Sequence, residues 1–323
     1  MKLNNSSAAV VIIGAAIAIP VLNLNPTWMN TSSIIAIYAI LALSVGIIYG
    51  QGGILSLAQG AFASVGAYIT AILTTRYNMS PWMTLPLAMA LPAFVALPLA
   101  RLVSPLSPLV LAIATLMFAT IVEMLLRGGG DFTGGYVGIS GIPPLMSYQT
   151  PLTFHITSWA FVSVIVFLYA NFLRSPRGRA INAIRHDPTR AIADGADVNQ
   201  LRSTVFALGA AVAGLGGWLY AHQLSFISPE LFGVPVSINA ILMTVVGGAG
   251  IVLGPVVGAI VLSFFYEVLP GQQARGMFYG AALILTLIMA PSGLLGFLRH
   301  RLQLRKRVKD MSDERMAPAG TPR

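Results

Sequence analysis

The stretch Leu173-Arg-Ser-Pro-Arg-Gly-Arg-Ala-Ile-Asn-Ala-Ile-Arg-His-Asp-Pro-Thr-Arg-Ala-Ile-Ala-Asp-Gly-Ala-Asp-Val-Asn-Gln-Leu-Arg202 stands between two long apolar runs and carries six of the chain's 19 Lys and Arg residues. Such an Arg-rich island has to sit in water, whereas the runs on either side have almost no charge and need lipid. Working outward from it, apolar segments suitable for spanning a membrane recur at residues 8–24, 34–49, 54–74, 82–103, 107–127, 157–173, 203–222, 236–265 and 277–298. Most approach the roughly 20 residues that cross a hydrocarbon core of about 30 Å.

Composition agrees. The 323 residues are 56% hydrophobic and 9% charged, against about 25% charged in a typical soluble domain. The net charge of +9 is not a nucleic-acid-binding face, because eight further Lys and Arg follow Leu298 and the rest are scattered. Basic residues gathered in a few loops are the signature of cytoplasmic segments in a membrane protein. The chain has no cysteine, which excludes disulfides, thiolate metal sites and cysteine nucleophiles. Its four histidines, His155, His186, His222 and His300, lack metal-ligand spacing, and Ser140 has no nucleophile elbow around it. No metal site, cofactor or catalytic residue is expected.

With the N-terminus inside, loops 25–33 and 128–156 fall outside without Lys or Arg, while Lys2, Arg101 and the island fall inside. This charge pattern favours residues 8–24 as a retained first span over a cleaved signal peptide, although Lys2 and Ala16-Ile-Ala18 also suit the latter. The basic segment after Leu298 should be cytoplasmic as well, so an even number of crossings must separate it from the island. Segment 236–265 supplies the extra one: Gly247-Gly248-Ala-Gly250 and Gly254-Pro255 interrupt it, making it either two short crossings or a re-entrant pair, with Glu267 to Arg275 outside. The sequence therefore describes an all-α polytopic membrane protein of about 8–10 transmembrane helices, with a membrane domain over 1–298, an external loop at 128–156, a cytoplasmic element at 174–202 and a basic cytoplasmic tail at 299–323 expected to be disordered.

A second break occurs at Tyr49-Gly50-Gln51-Gly52-Gly53-Ile-Leu-Ser56-Leu-Ala-Gln59-Gly60. Gly-interrupted segments in both halves are the mark of transporters with internal pseudo-symmetry, in which the substrate route lies where the repeats meet; small residues also simply let helices pack closely. Gln51, Ser56, Gln59, Ser237 and Asn239 are the uncharged polar groups that could line such a route, and interhelical hydrogen bonding is their other reading. No ionisable residue lies near mid-membrane, where one costs at least about 2.5–3.5 kcal/mol and usually signals ion coupling. Glu123 sits four residues before Arg127 near the external end of its span, placed for an ion pair or a gate, and Glu230 and Glu267 fall in expected loops.

Within the island, Ser175-Pro176 and Asp187-Pro188 each read as an N-cap followed by proline at the first helical position, and Gly195 as a stop. Two short helices follow, about 176–186 and 188–194. Ala180, Ile181, Ala183, Ile184, Ala191 and Ile192 would give them a small apolar surface for docking into a groove on a soluble partner. The alternative is a loop lying on anionic headgroups.

Arg174-Ser-Pro-Arg-Gly-Arg-Ala-Ile-Asn-Ala-Ile-Arg185 followed by Ala191-Ile-Ala-Asp-Gly195 resembles the coupling loop of the inner-membrane permeases of branched-chain amino acid ABC transporters, the LivH/LivM family. Three further stretches match in order: Gly50-Gln-Gly-Gly-Ile-Leu-Ser-Leu-Ala-Gln-Gly-Ala-Phe-Ala-Ser-Val-Gly-Ala-Tyr68, Phe206-Ala-Leu-Gly-Ala-Ala-Val-Ala-Gly-Leu-Gly-Gly-Trp-Leu-Tyr220 with Ile227-Ser-Pro-Glu230, and Ser237-Ile-Asn-Ala-Ile-Leu-Met-Thr-Val-Val-Gly-Gly-Ala-Gly250 with Gly254-Pro-Val-Val-Gly-Ala259. Thr133-Gly-Gly-Tyr-Val-Gly-Ile-Ser-Gly-Ile-Pro143 resembles the LivM side of the family. At Thr189, Arg190 and Ala191 the chain lacks the Glu-Ala-Ala core of the general ABC coupling motif.

The resemblance implies a multi-pass permease of the bacterial inner membrane with both termini cytoplasmic. It would work by alternating access with two ABC ATPase subunits, a second homologous LivH-type permease and an extracytoplasmic substrate-binding protein. Branched-chain or related amino acids are the implied cargo, with urea or other amides as the alternative and ion-coupled transport as the rival mechanism. Ser175, Arg177, Gly178, Arg179, Arg185, Asp187, Ala191 and Gly195 are the implied coupling residues. The chain has no Gly-x-x-x-x-Gly-Lys-Ser/Thr loop, so ATP would be bound by the partner.

Overall fold

The structure, a computed structural model, describes residues 13–14, 16–18, 26–146, 150–186, 191, 197–268, 280–281 and 293–297. Helix α1 runs Pro26–Val45 and passes without a break into a π-helical turn, Gly46–Gln51. An irregular stretch at residues 52–58 leads to α2 (Gln59–Arg76). Then come α3 (Pro81–Val103), α4 (Pro108–Gly128), the short α5 (Gly130–Thr133), strand β1 (Ile139–Ser140), α6 (Pro151–Arg174) and α7 (Pro176–His186). After α8 (Val198–Leu224) the chain forms strand β2 (Phe226–Ile227), a 3-10 turn (Pro229–Phe232), α9 (Val234–Gly247) and α10 (Gly254–Val268).

The protein is all-α and polytopic. Six helical stretches among the described residues are long and apolar enough to cross a membrane: Pro26–Gln51, Pro81–Val103, Pro108–Gly128, Pro151–Arg174, Val198–Leu224 and Pro229–Gly247. Most of the expected first and last spans, 8–24 and 277–298, lies outside the described residues, as does the tail from Arg299. Segment 236–265 is broken as its glycines require. At about 1.5 Å per residue, α9 alone is near 21 Å and reaches across a 30 Å core only with the 3-10 turn before it, and it packs against α10 as a hairpin. At the turn Gly248 has φ +115°, open to glycine and strained for any other residue. Glu267, expected in an external loop, is instead helical, within α10.

Helix starts follow a recurrent device. Ser80-Pro81, Ser107-Pro108, Thr150-Pro151, Ser175-Pro176 and Ser228-Pro229 each set proline in the first turn, where its missing N–H costs nothing. Thr150 completes a capping box with Thr153.

Helix α8 is the hub: α3, α2 and α1 all pack on it. Along α3 the buried positions Thr84, Ala88, Pro92, Ala96 and Ala100 recur every four residues, a stripe of small groups, while Leu87, Leu91, Phe94 and Leu97 face outward. Gly214 of α8 meets that stripe so closely that an added Cβ would overlap the Ala88 carbonyl oxygen. Gly66 of α2 stands over the Gly214 carbonyl in the same way.

At the end of the molecule away from α7, aromatic rings seal the join. Trp218 Nε1 donates to Thr84 Oγ1 at 3.0 Å, and Phe161, Trp82 and His222 ring it at centroid distances of 5.6, 5.8 and 5.1 Å. Trp82 Nε1 donates to Leu145 O, and Ile139 and Ser140 pair antiparallel with Ile227 and Phe226, so the connection between α4 and α6 is fastened to the end of α8.

Replacing Gly214 by leucine should destabilise the protein by at least about 1–3 kcal/mol, because the obstacle is backbone. Gly128→Ala, where nothing lies within 4 Å of an added Cβ, should stay within about 0.5 kcal/mol of wild type. The midpoint of thermal unfolding in detergent, compared between the two variants, checks this.

Candidate functional site

The island keeps its expected N-cap: Ser175 Oγ accepts from Gly178 N at 3.1 Å, and α7 follows from Pro176. Gly178 is buried, and a Cβ there would overlap the Phe172 carbonyl oxygen at the end of α6, which is how α6 and α7 turn so sharply. Asp187, Gly195 and all of the expected second helix except Ala191 lie outside the described residues. Asp197, not singled out from the sequence, caps α8 by accepting from Gln200 N at 3.0 Å.

The apolar face of α7 differs from expectation. Ile181 and Ile184 are 2% and 3% exposed, and Ala191 is 4% exposed. The two isoleucines line a common cavity with Gly52, Leu201, Arg202 and Val205, so this face turns toward its own chain. Arg177, Arg179, Asn182 and Ala183 remain exposed. Arg179 Nη1 bonds back to Arg174 O at 2.7 Å. Arg185 is exposed as well, and its guanidinium donates to Gly50 O near the end of the π turn.

The polar groups proposed for a route gather along a seam where the two glycine breaks touch. Gln51 Nε2 donates to Tyr169 OH at 3.0 Å, and Tyr169 OH donates to Gly46 O at 2.9 Å. Gly60 N donates to Ser237 Oγ at 2.8 Å, which joins the start of α2 to α9. Ser44 Oγ lies 2.9 Å from Gln59 Oε1, and Thr244 Oγ1 is 2.9 Å from Ala42 O. Ser56 Oγ accepts from Ala58 N at 3.3 Å. Gln51, Ser56, Gln59 and Ser237 are thus buried and bonded within this chain, and Asn239 is half-buried on α9. The Gln59 amide Nε2 has no partner. Tyr169, the centre of the first group, was missed from the sequence because it lies 118 residues from Gln51.

Glu123 and Arg127 form the expected i,i+4 ion pair at 2.5 Å, and Arg127 lies 5.4 Å from the centre of the Tyr136 ring. Both side chains keep partial solvent access, so the pair stabilises the fold little. His222 Nδ1 is 2.7 Å from Pro143 O, a packing role at the loop. Among the described residues no three His, Asp or Glu side chains gather to hold a metal.

A polytopic α-bundle, its helix breaks in mutual contact and a basic amphipathic helix docked beneath them, is a transport subunit in architecture. The chain belongs to the family described as branched-chain amino acid transport system permease components, whose model matches residues 28–288. Within that family it is of the LivM type. It is 31% identical over 305 residues to the high-affinity branched-chain amino acid transport system permease protein LivM of Escherichia coli (strain K12), covering 86% of this chain and 72% of the relative. It is 28% identical over 299 residues to BraD of Pseudomonas aeruginosa, covering 83% and 94%. A probable LivH permease of Methanocaldococcus jannaschii is 23% identical over 278 residues, covering 80% and 88%. No solved structure matches the chain.

Tyr169→Phe should leave the buried Gly46 carbonyl and the Gln51 amide without their partner, at a cost of about 1–3 kcal/mol. Thermal unfolding of the purified variant should show the loss; an unchanged midpoint would mean the seam does not hold the π turn.

Proposed function

We propose that this chain is one of two non-identical permease subunits of an ATP-driven importer for branched-chain or related amino acids. It would sit in the bacterial inner membrane with the island and both termini in the cytoplasm. The observation that carries the reading is the geometry of α7 in a chain of this family. Its apolar face is spent on its own membrane helices, which leaves Arg177 and Arg179 exposed toward whatever lies beneath. The chain contains no phosphate-binding loop, and Glu123, the acidic side chain within α4, is paired with Arg127. Energy therefore enters through the island rather than through ion binding in the membrane. When the partner ATPase dimer closes on ATP, it draws α7 and the attached helices with it, and hydrolysis returns them. Substrate choice rests mainly with an extracytoplasmic binding protein, so the route itself needs little affinity.

Purification of the tagged chain from its host in mild detergent should recover two ATPase chains and a second permease in stoichiometric amounts. Transport that survives ATP depletion and collapses with the proton gradient would instead make this a secondary transporter. Reversing charge in Arg177→Glu/Arg179→Glu should abolish recovery of the ATPase while the second permease still co-purifies. Full ATPase recovery by that double variant would remove these arginines from the contact.

A further inference from the structure

The three arginines of α7 are all exposed but differ in what they bond. Arg177 and Arg179 face water. Arg185 stands in the last turn, next to the buried Ile184; its side chain is exposed overall, yet its guanidinium reaches back to the π turn. It donates to Gly50 O, the last carbonyl but one of the π turn. A Cβ built on Gly250, in the α9–α10 turn, would lie 3.6 Å from Arg185 Nη1, and one on Gly53 would lie 3.9 Å from its Cγ. One side chain thus touches both glycine breaks, the first in the N-terminal half and the second in the C-terminal half.

The breaks are also in direct backbone contact. An added Cβ at Gly50 would overlap the Ala249 carbonyl oxygen, and one at Gly46 would fall 2.7 Å from Pro255 Cγ. The π turn is clasped at both ends, by Tyr169 on the Gly46 carbonyl and by Arg185 on Gly50. Helix ends carry unpaired carbonyls and partial negative charge, which a cation satisfies. Arginine suits this place because its planar head offers five donors in a fixed fork and so bridges two backbone segments; a lysine ammonium is a single compact charge. A π turn also has one residue too many for the α-helical register, so it can shift by one residue where a regular helix is stiff.

We infer that Arg185 is a positioning residue for transport, a pin that makes any displacement of α7 move the π turn and the α9–α10 turn as one body, and not a contact to the ATPase. The inference rests on the importer reading above and adds the path by which motion enters the membrane.

The test uses the complete co-purified transporter in proteoliposomes, with its binding protein and radiolabelled leucine, scoring uptake and ATP hydrolysis together. Arg185→Ala should leave subunit recovery and ATP hydrolysis unchanged while leucine imported per ATP falls about tenfold, the upper range for a residue that carries coupling. Arg185→Lys should restore part of that ratio, since it keeps the charge and loses the fork. Because the chain has no native cysteine, spin labels at Asn182→Cys and Ile251→Cys report the distance from α7 to the hairpin turn. That distance should stay fixed through the ATP cycle in wild type and change with ATP in Arg185→Ala. If the alanine variant does not assemble, the lysine variant decides on the same ratio, an unchanged value overturning the inference. A wild-type ratio in Arg185→Ala, or uptake and hydrolysis falling together in an assembled complex, also overturns it. Absence of ATP-driven leucine uptake by the wild-type complex overturns the importer reading first, and the pin with it.

Discussion

Where Gly214 of α8 meets the Ala88 carbonyl of α3 and the Gly66 backbone of α2, three helices come within backbone reach of one another, and the rest of the bundle is arranged around that contact. In lipid no water is released when two helices associate, so attraction comes from dispersion and from whatever polar groups meet. Dispersion falls off within a fraction of an ångström, which makes close approach the main source of cohesion. The glycines of α8 and the small-residue stripe of α3 are the means. Large side chains such as Phe94, Met117 and Phe167 are left for the outer surface, the reverse of a soluble protein.

Close packing at the centre lets the glycine breaks exist. A helix interrupted at membrane depth exposes carbonyls and N–H groups that lipid cannot satisfy. Here each break is answered by the other or by a nearby side chain: Ser237 takes the N–H of Gly60, Thr244 reaches Ala42 O, and Tyr169 and Arg185 hold the π turn. The polar residues of the seam therefore make irregular backbone tolerable in this position, and they couple the two halves of the chain by doing so.

Much of this was legible in the sequence, because run length, charge placement and Ser-Pro starts are local signals. The spans beginning at Pro81 and Pro108, the cap at Ser175, the break between Gly247 and Gly254, and the Glu123–Arg127 pair all follow from residues within a few positions of each other. What was not legible depends on partners far along the chain. The π turn at Gly46–Gln51 is fixed by Tyr169 and Arg185, more than 100 residues away. The isoleucines of α7 announce an apolar face, yet periodicity cannot say whether it meets another protein or the membrane helices of its own. For the same reason the five polar residues offered for a route could be named, with interhelical hydrogen bonding as their other reading, while the particular partners that four of them bond inside the chain could not be.

The short β1–β2 pairing has a consequence of its own. With Gly141 N and Ile142 N also bonded to Ser225 O, and Trp82 and His222 holding Leu145 and Pro143, the stretch from Ile139 to Leu145 is already fastened to the end of α8. A protein landing on that face would meet a finished surface and not be charged for ordering it. Docking there would be a matter of shape and speed, without a loop that has first to fold around its visitor.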